Sequence, residues 1–151
     1  MVAARPVKRK VKVNAKTAFL RKIGFASEDS WTIIRQVRAG VPFSRLASFQ
    51  KASGLSLAEI SEFVGIPLRT LARRQVEGKL QSDESDRLWR AVTVFALAVK
   101  LFSGDVEAAS GWLRRPRSAL GGETPLACAS TAIGADEVKN LINCIEHGVY
   151  I

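Results

Sequence analysis

Long apolar stretches, histidine and cysteine are scarce in this 151-residue chain, and each shortage narrows what the protein can be. No apolar run approaches the roughly 18 to 20 residues needed to cross a bilayer. The longest one, residues 91–99, lies between Arg90 and Lys100. The basic start resembles the beginning of a signal peptide, but no uninterrupted apolar segment follows it. We therefore expect a cytoplasmic protein with no membrane partner.

The shortage of metal-binding and nucleophilic side chains argues against an enzyme. Two cysteines, Cys128 and Cys144, are too few for a disulfide framework, so we expect reduced thiols. Cys144 and His147 have the spacing of half a zinc site, but Cys128 is the one further candidate ligand. His147 is the single histidine, and no glycine-rich loop follows a strand pattern. We expect no metal, no cofactor and no catalysis.

Two local charge clusters each allow two interpretations. The carboxylates of residues 83–86 either form an acid–base or metal cluster or belong to the first turn of a helix, where negative side chains are stabilising. The arginines of residues 114–117 either lie in a solvated loop or form a second nucleic-acid patch. In both cases the simpler structural interpretation is favoured.

Acidic residues are absent from residues 1–22, which contain eight of the 23 lysines and arginines. The remaining residues have fifteen basic and fourteen acidic side chains, so the net charge of +9 belongs mainly to the start of the chain. Because the segment shows no helical or strand period, we expect a disordered basic tail. It either adds sequence-independent phosphate contacts or is a solvated leader.

The apolar fraction of 47% is sufficient for a folded core, and from residue 27 onwards the apolar residues follow a helical period. The stretch from Asp83 to Phe102, capped by Ser82, is apolar on nearly all sides and is predicted to be the buried central helix, with Phe95 in its main stripe. The other predicted helices run from Ser27 to Arg38, from Phe43 to Gly54, from Asp105 to Leu113, from Thr124 to about Ala132 and from Ala135 to His147. In the first of these helices Trp31, Ile34 and Val37 are expected to be buried. In the last one, Val138, Leu141, Ile142 and Ile145 share one face.

Residues 56–77 form the pattern around which the chain is organised. Ser56 and Glu59 have the spacing of a capping box, and Gly65 is suited to end the helix that they begin. Pro67 then stands where a second helix would start. That second helix, Leu68 to Glu77, divides into an apolar and a polar arc. The apolar arc contains Leu68, Leu71, Ala72 and Val76, and the polar arc contains Arg69, Thr70, Arg73, Arg74 and Glu77.

Two helices joined by a short glycine-containing turn are typical both of an ordinary helical hairpin and of a DNA-binding helix-turn-helix. The excess of arginine on the second helix favours DNA binding, because a recognition helix needs positive charge towards phosphates. The predicted DNA-binding residues are Arg69, Thr70, Arg73, Arg74 and Lys79.

Several separate strings between residue 55 and the C-terminal end resemble the Xre/MbcA/ParS antitoxins. They are Gly65-Ile66-Pro67-Leu68-Arg69-Thr70-Leu71-Ala72-Arg73-Arg74, Asp83-Glu84-Ser85-Asp86-Arg87-Leu88, Trp112-Leu113-Arg114-Arg115-Pro116, Leu120-Gly121-Gly122-Glu123-Thr124-Pro125-Leu126 and Ile145-Glu146-His147-Gly148-Val149-Tyr150. The resemblance covers about two thirds of the chain. It departs from the family at Cys128-Ala129, where larger aliphatic side chains are more usual, and residues 1–40 match nothing recognisable.

The resemblance implies an all-α protein with a helix-turn-helix DNA-binding core and a C-terminal toxin-binding subdomain. It further implies a cognate RES-domain toxin that degrades NAD or transfers ADP-ribose, operator DNA, and a homodimer that assembles with the toxin into a hetero-oligomer. We expect a basic tail at 1–22, a helical segment at 23–54 that packs on the core or pairs with a second copy, the DNA-binding core at 55–103 and the toxin-binding domain at 104–151. The alternatives are a stand-alone regulator without a toxin and a small hydrolase.

The C-terminal end carries large apolar residues where an idle terminus is usually polar. They either cover the protein's own core or contact another protein, and the resemblance implies contact with the toxin. The predicted toxin-binding residues are Trp112, Glu146, His147, Val149, Tyr150 and Ile151.

Overall fold

The structure, a computed structural model, describes residues 14–25 and 29–148. Within these ranges it contains helices, turns and loops but no β-strand, which confirms the all-α class. An isolated bridge pairs Pro42 with Lys79. The helices are α1 (Ala15–Ile23), α2 (Ser30–Ala39), α3 (Phe43–Ser53), α4 (Leu57–Val64), α5 (Leu68–Glu77), α6 (Ser82–Leu101), α7 (Val106–Leu113), α8 (Pro125–Cys128) and α9 (Ala132–Glu146), with a 3-10 turn at Ser118–Leu120.

Helix α6 is the centre of the fold, as its apolar circumference predicts. Helices α1, α2, α3, α4, α7 and α9 all pack against it, and Phe95 is completely buried. The predicted cap is displaced by one residue, because Gln81 rather than Ser82 precedes the helix. The backbone N–H of Gln81 donates to the Glu84 carboxylate at 2.8 Å, which closes the first turn.

Helix α1 contradicts the expected disorder of residues 1–22 over the part that the structure describes. The Asn14 side chain accepts a hydrogen bond from the Thr17 N–H at 2.8 Å and caps the helix. Phe19 and Ile23, one turn apart, are buried against the core, while Arg21 and Lys22 remain exposed. The many basic residues of this segment obscured its short apolar face in the sequence pattern. Residues 1–13 lie outside the described residues.

Helix α2 begins later than predicted and buries a different face. Its cap is Asp29, and the predicted cap Ser27 lies outside the described residues. Ile33 is the buried residue of α2, whereas Trp31 is 67% exposed. Two residues along a helix are about 200° apart, so a face centred on Ile33 turns Trp31 away from α6. The predicted buried set of Trp31, Ile34 and Val37 is therefore wrong for Trp31.

The C-terminal helices confirm the predicted order but not all of its boundaries. Helix α8 ends at Cys128, and α9 begins at Ala132, before the glycine that was expected to separate the two helices. A Cβ atom at Gly134 would lie 1.7 Å from the carbonyl oxygen of Cys128, so the close approach of α9 to α8 requires glycine. Val138 and Ile142 are buried as predicted, but Ile145 is exposed.

Candidate functional site

The turn between α4 and α5 has the geometry that its sequence predicts. The Ser56 N–H donates to the Glu59 carboxylate at 3.0 Å, and the Glu59 N–H donates to the Ser56 hydroxyl at 3.1 Å. Gly65 has φ +66°, a left-handed conformation that glycine adopts without strain. The Ser61 hydroxyl donates to the Ile66 carbonyl at 2.6 Å. The path of the chain into α5 is therefore fixed by local hydrogen bonds.

Helix α6 holds this turn and α5 in place. The Arg87 guanidinium donates from Nη1 to the Gly65 carbonyl at 3.1 Å, and Leu71 is the buried residue of α5. On the neighbouring side of α5, Arg74 Nε lies 2.7 Å from Glu84 Oε1 at the start of α6. These contacts determine which face of α5 points outward.

Arg74 differs from the other predicted DNA-binding residues. Its side chain is only 12% exposed, and Nη1 forms a second ion pair with Glu77 at 3.0 Å. Hydrogen bonds to Glu84 and then to Glu77 raise the pKa of the guanidinium. The prediction that Arg74 reads DNA is therefore corrected: Arg74 joins α5 to α6.

The outward face of α5 is mixed rather than purely polar. Arg69 and Arg73 are exposed on it, Thr70 is half-buried at its edge, and Lys79 is exposed just beyond the helix. Much of the arc that was expected to pack inward is also accessible: Leu68 and Ala72 are exposed, and Val76 is 90% exposed. With Leu71 and Arg74 packed inward, the opposite side of the helix must point to solvent. The predicted division into an inner apolar and an outer basic arc is wrong in this respect.

A bidentate ion pair connects the helix-turn-helix with α7. Arg114 Nε lies 2.6 Å from Glu59 Oε2, and Arg114 Nη2 lies 3.1 Å from Glu59 Oε1. This pair, with the Ser56 cap, lowers the pKa of Glu59 from 4.5 to about 2. The residues are 55 positions apart, so the sequence pattern gave no sign of their contact. A single carboxylate thus caps α4 and holds the C-terminal part of the chain.

The arginine run does not form one uniform basic patch. The Arg117 guanidinium lies 4.9 Å from the centre of the Trp112 ring, and burial lowers the pKa of Arg117. Trp112, which was predicted to bind the toxin, is itself buried, and this burial argues against direct contact between its ring and a partner. Arg115 is exposed beside a groove of about 630 Å³ that also contacts Gly111. Arg114 is also exposed but is paired with Glu59, so the three arginines of this run have different surroundings.

The C-terminal end of α9 presents a mixed surface. Glu146 lies 3.4 Å from the Lys100 ammonium, and the exposed His147 ring has Nδ1 2.8 Å from the Asn143 carbonyl oxygen. Val149, Tyr150 and Ile151 lie outside the described residues. Ile133, at the other end of α9, is 79% exposed. Sequence reasoning missed it because the helix was expected to start after this position.

The carboxylates at the start of α6 have structural roles. Asp83 Oδ2 lies 3.6 Å from Arg87 Nη2, and Asp86 Oδ2 lies 3.2 Å from Arg90 Nη2. Glu84 forms the ion pair with Arg74 described above. Among residues 14–25 and 29–148, no group of three or more His, Cys, Asp or Glu could hold a metal ion. In the same ranges no helix is both long and apolar enough to cross a membrane.

The fold and the exposed basic helix define a helix-turn-helix protein with an additional helical region at its C-terminal end. Comparison with protein families matches two consecutive parts of the chain, and the boundary between them lies within α6. Residues 32–92 match an antitoxin Xre-like helix-turn-helix domain, and residues 97–148 match the antitoxin Xre/MbcA/ParS C-terminal toxin-binding domain.

Two curated relatives match most of the chain, and a third matches about half of it. An antitoxin Xre from Photorhabdus laumondii is 37% identical over 130 residues, which cover 85% of this chain and 88% of the relative. An antitoxin Xre from Yersinia enterocolitica is 34% identical over 134 residues, covering 88% of this chain and 90% of the relative. An antitoxin Xre from Pseudomonas putida matches 84 residues at 37% identity, covering 55% of this chain and 52% of the relative. The chain belongs to the Xre/MbcA/ParS family of antitoxins.

Proposed function

We propose that this antitoxin neutralises a RES-domain toxin, which consumes NAD or transfers ADP-ribose, and that it represses its own operon by binding operator DNA. The observation that carries the DNA-binding half is the exposed pair Arg69 and Arg73 on the outward face of α5. The observation that carries the toxin-binding half is the match of residues 97–148 to a toxin-binding domain. Neutralisation is stoichiometric binding rather than catalysis.

In the proposed complex with DNA, α5 lies in the major groove. Arg69 and Arg73 are one turn apart, so both guanidinium groups can reach the same groove and form bidentate contacts with guanine. Thr70 at the edge of the helix and Lys79 beyond it contact phosphates, which set the position of the helix on the duplex. On the opposite side of α5, the ion pair between Arg74 and Glu84 fixes the orientation of the helix.

Alanine variants test the recognition helix directly. Replacing Arg69 or Arg73 with alanine should weaken binding to the promoter of the chain's own operon by about 1–3 kcal/mol if the side chain reads a base. Their exposure means that thermal stability should stay unchanged, which a melting curve verifies. Arg35→Ala is a matched control, because Arg35 is an exposed arginine on a different helix. Unchanged promoter affinity in both α5 variants would reject the assignment.

The toxin-binding half uses the end of α9 and the residues that follow it. Ile145, Glu146 and His147 are accessible there, and the sequence continues with three large apolar residues at 149–151. Tyr150 would serve as an aromatic anchor in a pocket of the toxin, the role in which tyrosine is enriched at interfaces. Glu146 would pair with a basic residue of the toxin.

Co-purification with the product of the neighbouring gene tests the toxin-binding half. The full chain should form a stable complex, and a chain without residues 148–151 should lose both complex formation and protection of cells while it retains promoter binding. If the shortened chain still protects cells, the end of the chain is not the neutralising element. If the full chain forms no complex with that product, a stand-alone regulator is the better description.

We further propose that the antitoxin is a homodimer and that the dimer assembles with toxin into a hetero-oligomer. Trp31 is exposed on α2, and a groove of about 690 Å³ beside Ile34 and Trp89 lies between α2 and α6. Two helix-turn-helix units in a dimer read half-sites about one DNA turn apart. Sedimentation should show a dimer that Trp31→Ala weakens; a monomeric wild-type chain would contradict this proposal.

A further inference from the structure

An unpartnered apolar stripe runs along α5 between the two exposed arginines and the buried side of the helix. It consists of Leu68, Ala72 and Val76, which follow one another at four-residue intervals. Leu68 is about half exposed, Ala72 is exposed, and Val76 is 90% exposed. Three accessible apolar side chains in a row on one short helix indicate a surface that something covers.

The geometry of the helix places this stripe beside the arginines. At about 100° per residue, Val76 and Arg69 differ by about 20° around the helix axis, and Ala72 lies about 40° further round. At about 1.5 Å per residue, the stripe extends about 12 Å along the axis, the length of three to four base-pair steps. A helix that presents Arg69 and Arg73 to DNA therefore also presents Ala72 and Val76.

We propose that the apolar stripe of α5 reads the 5-methyl groups of thymines in the operator, and that Val76 and Ala72 determine this part of the specificity. This inference rests on the proposed DNA binding. The charge of the surroundings indicates the partner. Arg69 and Arg73 lie along one side of the stripe and Lys79 lies beyond its end, so a polyanion is the partner that satisfies them. Within a major groove the apolar group that faces the protein is the thymine methyl, and alanine and other apolar side chains contact it.

Replacement of thymine by uracil removes this methyl group without altering base pairing, which gives a direct test. The probe is the promoter fragment of the chain's own gene, prepared once with thymidine and once with deoxyuridine throughout. Removal of one buried methyl group should reduce affinity about fourfold, equivalent to about 0.8 kcal/mol, and removal of two should reduce it about fifteenfold. Affinity for an unrelated DNA fragment should be the same in both forms.

The variant Val76→Ser identifies the side chain responsible. It should bind thymine-containing promoter more weakly than the wild type and should lower the ratio of thymine to uracil affinity towards one. Ile133→Ser is the matched control, because Ile133 is another highly exposed apolar residue and lies on α9. Arg69→Ala is a second control: it should weaken both DNA forms by the same factor and leave the ratio unchanged.

The outcomes that contradict the proposal are distinguishable. If the wild type does not prefer its promoter to unrelated DNA, the proposed function and this inference fail together. If it prefers its promoter but binds both forms equally, or if Val76→Ser keeps the wild-type ratio, DNA binding stands and the thymine contact is overturned. If Val76→Ser instead changes the sedimentation of the free protein, the stripe contacts a second copy and the inference is likewise overturned.

Discussion

Replacing Phe95 with alanine tests whether α6 is the centre of the fold. The Phe95 ring is fully buried. Its centre lies 5.0 Å from the centre of the Phe19 ring, in a stacked arrangement, and 5.6 Å from the centre of the Phe49 ring, in an edge-on arrangement. One side chain on α6 thus holds α1 and α3 together. Its truncation removes apolar packing against both helices and leaves a cavity between them.

The expected loss in the free energy of unfolding is about 3–5 kcal/mol, the range for phenylalanine truncations in a packed core. For a urea dependence of about 2 kcal/mol per molar, this loss lowers the unfolding midpoint by about 2 M. Equilibrium unfolding followed by circular dichroism measures the change. Val76→Ala is the control and should change stability by less than about 0.5 kcal/mol, since Val76 is exposed.

A double-mutant cycle with Phe19→Ala then tests whether α1 belongs to the folded core. Because the two rings touch, the losses should not add, and the coupling beyond buried area should be about 0.5–1.5 kcal/mol. A loss below about 1 kcal/mol for Phe95→Ala would place this residue outside the core. Strict additivity with Phe19→Ala would mean that α1 does not pack on α6.

Charged groups give three further predictions. Glu59 should stabilise the fold by about 1 kcal/mol through Arg114, because solvent partly screens the pair. The pKa of Glu59 is about 2 in the folded protein, compared with its ordinary value of 4.5. The stabilisation is therefore complete above about pH 4.5 and is lost as the pH falls towards 2. Urea titrations of Glu59→Gln should lack this pH dependence. Arg74→Ala should lower the urea midpoint, since it leaves the buried Glu84 without its cation, whereas an unchanged midpoint would mean that this pair contributes nothing. Deletion of residues 1–13, which contain five basic residues, should reduce the salt slope of promoter binding by about 0.9 for each phosphate that the segment neutralises, and an identical slope would make the segment irrelevant to DNA.

The features predicted correctly from sequence are those encoded by neighbouring residues. The capping box of Ser56 and Glu59 and the left-handed turn at Gly65 depend on contacts within a few residues, and the apolar circumference of α6 shows its burial without reference to any partner. Composition and spacing were sufficient for these elements. The resemblance to known antitoxins supplied the prediction of a toxin partner, which periodicity alone does not reveal.

The features that sequence reasoning missed are set by distant contacts. The rotation of α5 is fixed by Leu71 and by the ion pair between Arg74 and Glu84, so a helical wheel alone placed Val76 on the wrong side. Helix α1 is part of the fold because Phe19 packs against Phe95, a residue 76 positions away in the chain. Neither the contact between Arg74 and Glu84 nor that between Phe19 and Phe95 can be identified from the sequence pattern alone.

We propose that DNA and toxin occupy separate surfaces of this antitoxin: DNA the outward face of α5, and the toxin the residues at and after the end of α9. The most direct test measures promoter affinity and protection of cells from the toxin in parallel for two variants. We predict that Arg69→Ala combined with Arg73→Ala loses promoter affinity but still protects cells, and that removal of residues 148–151 abolishes protection but leaves promoter affinity intact. If each variant loses both activities while remaining folded, the two functions share one surface and the account is wrong.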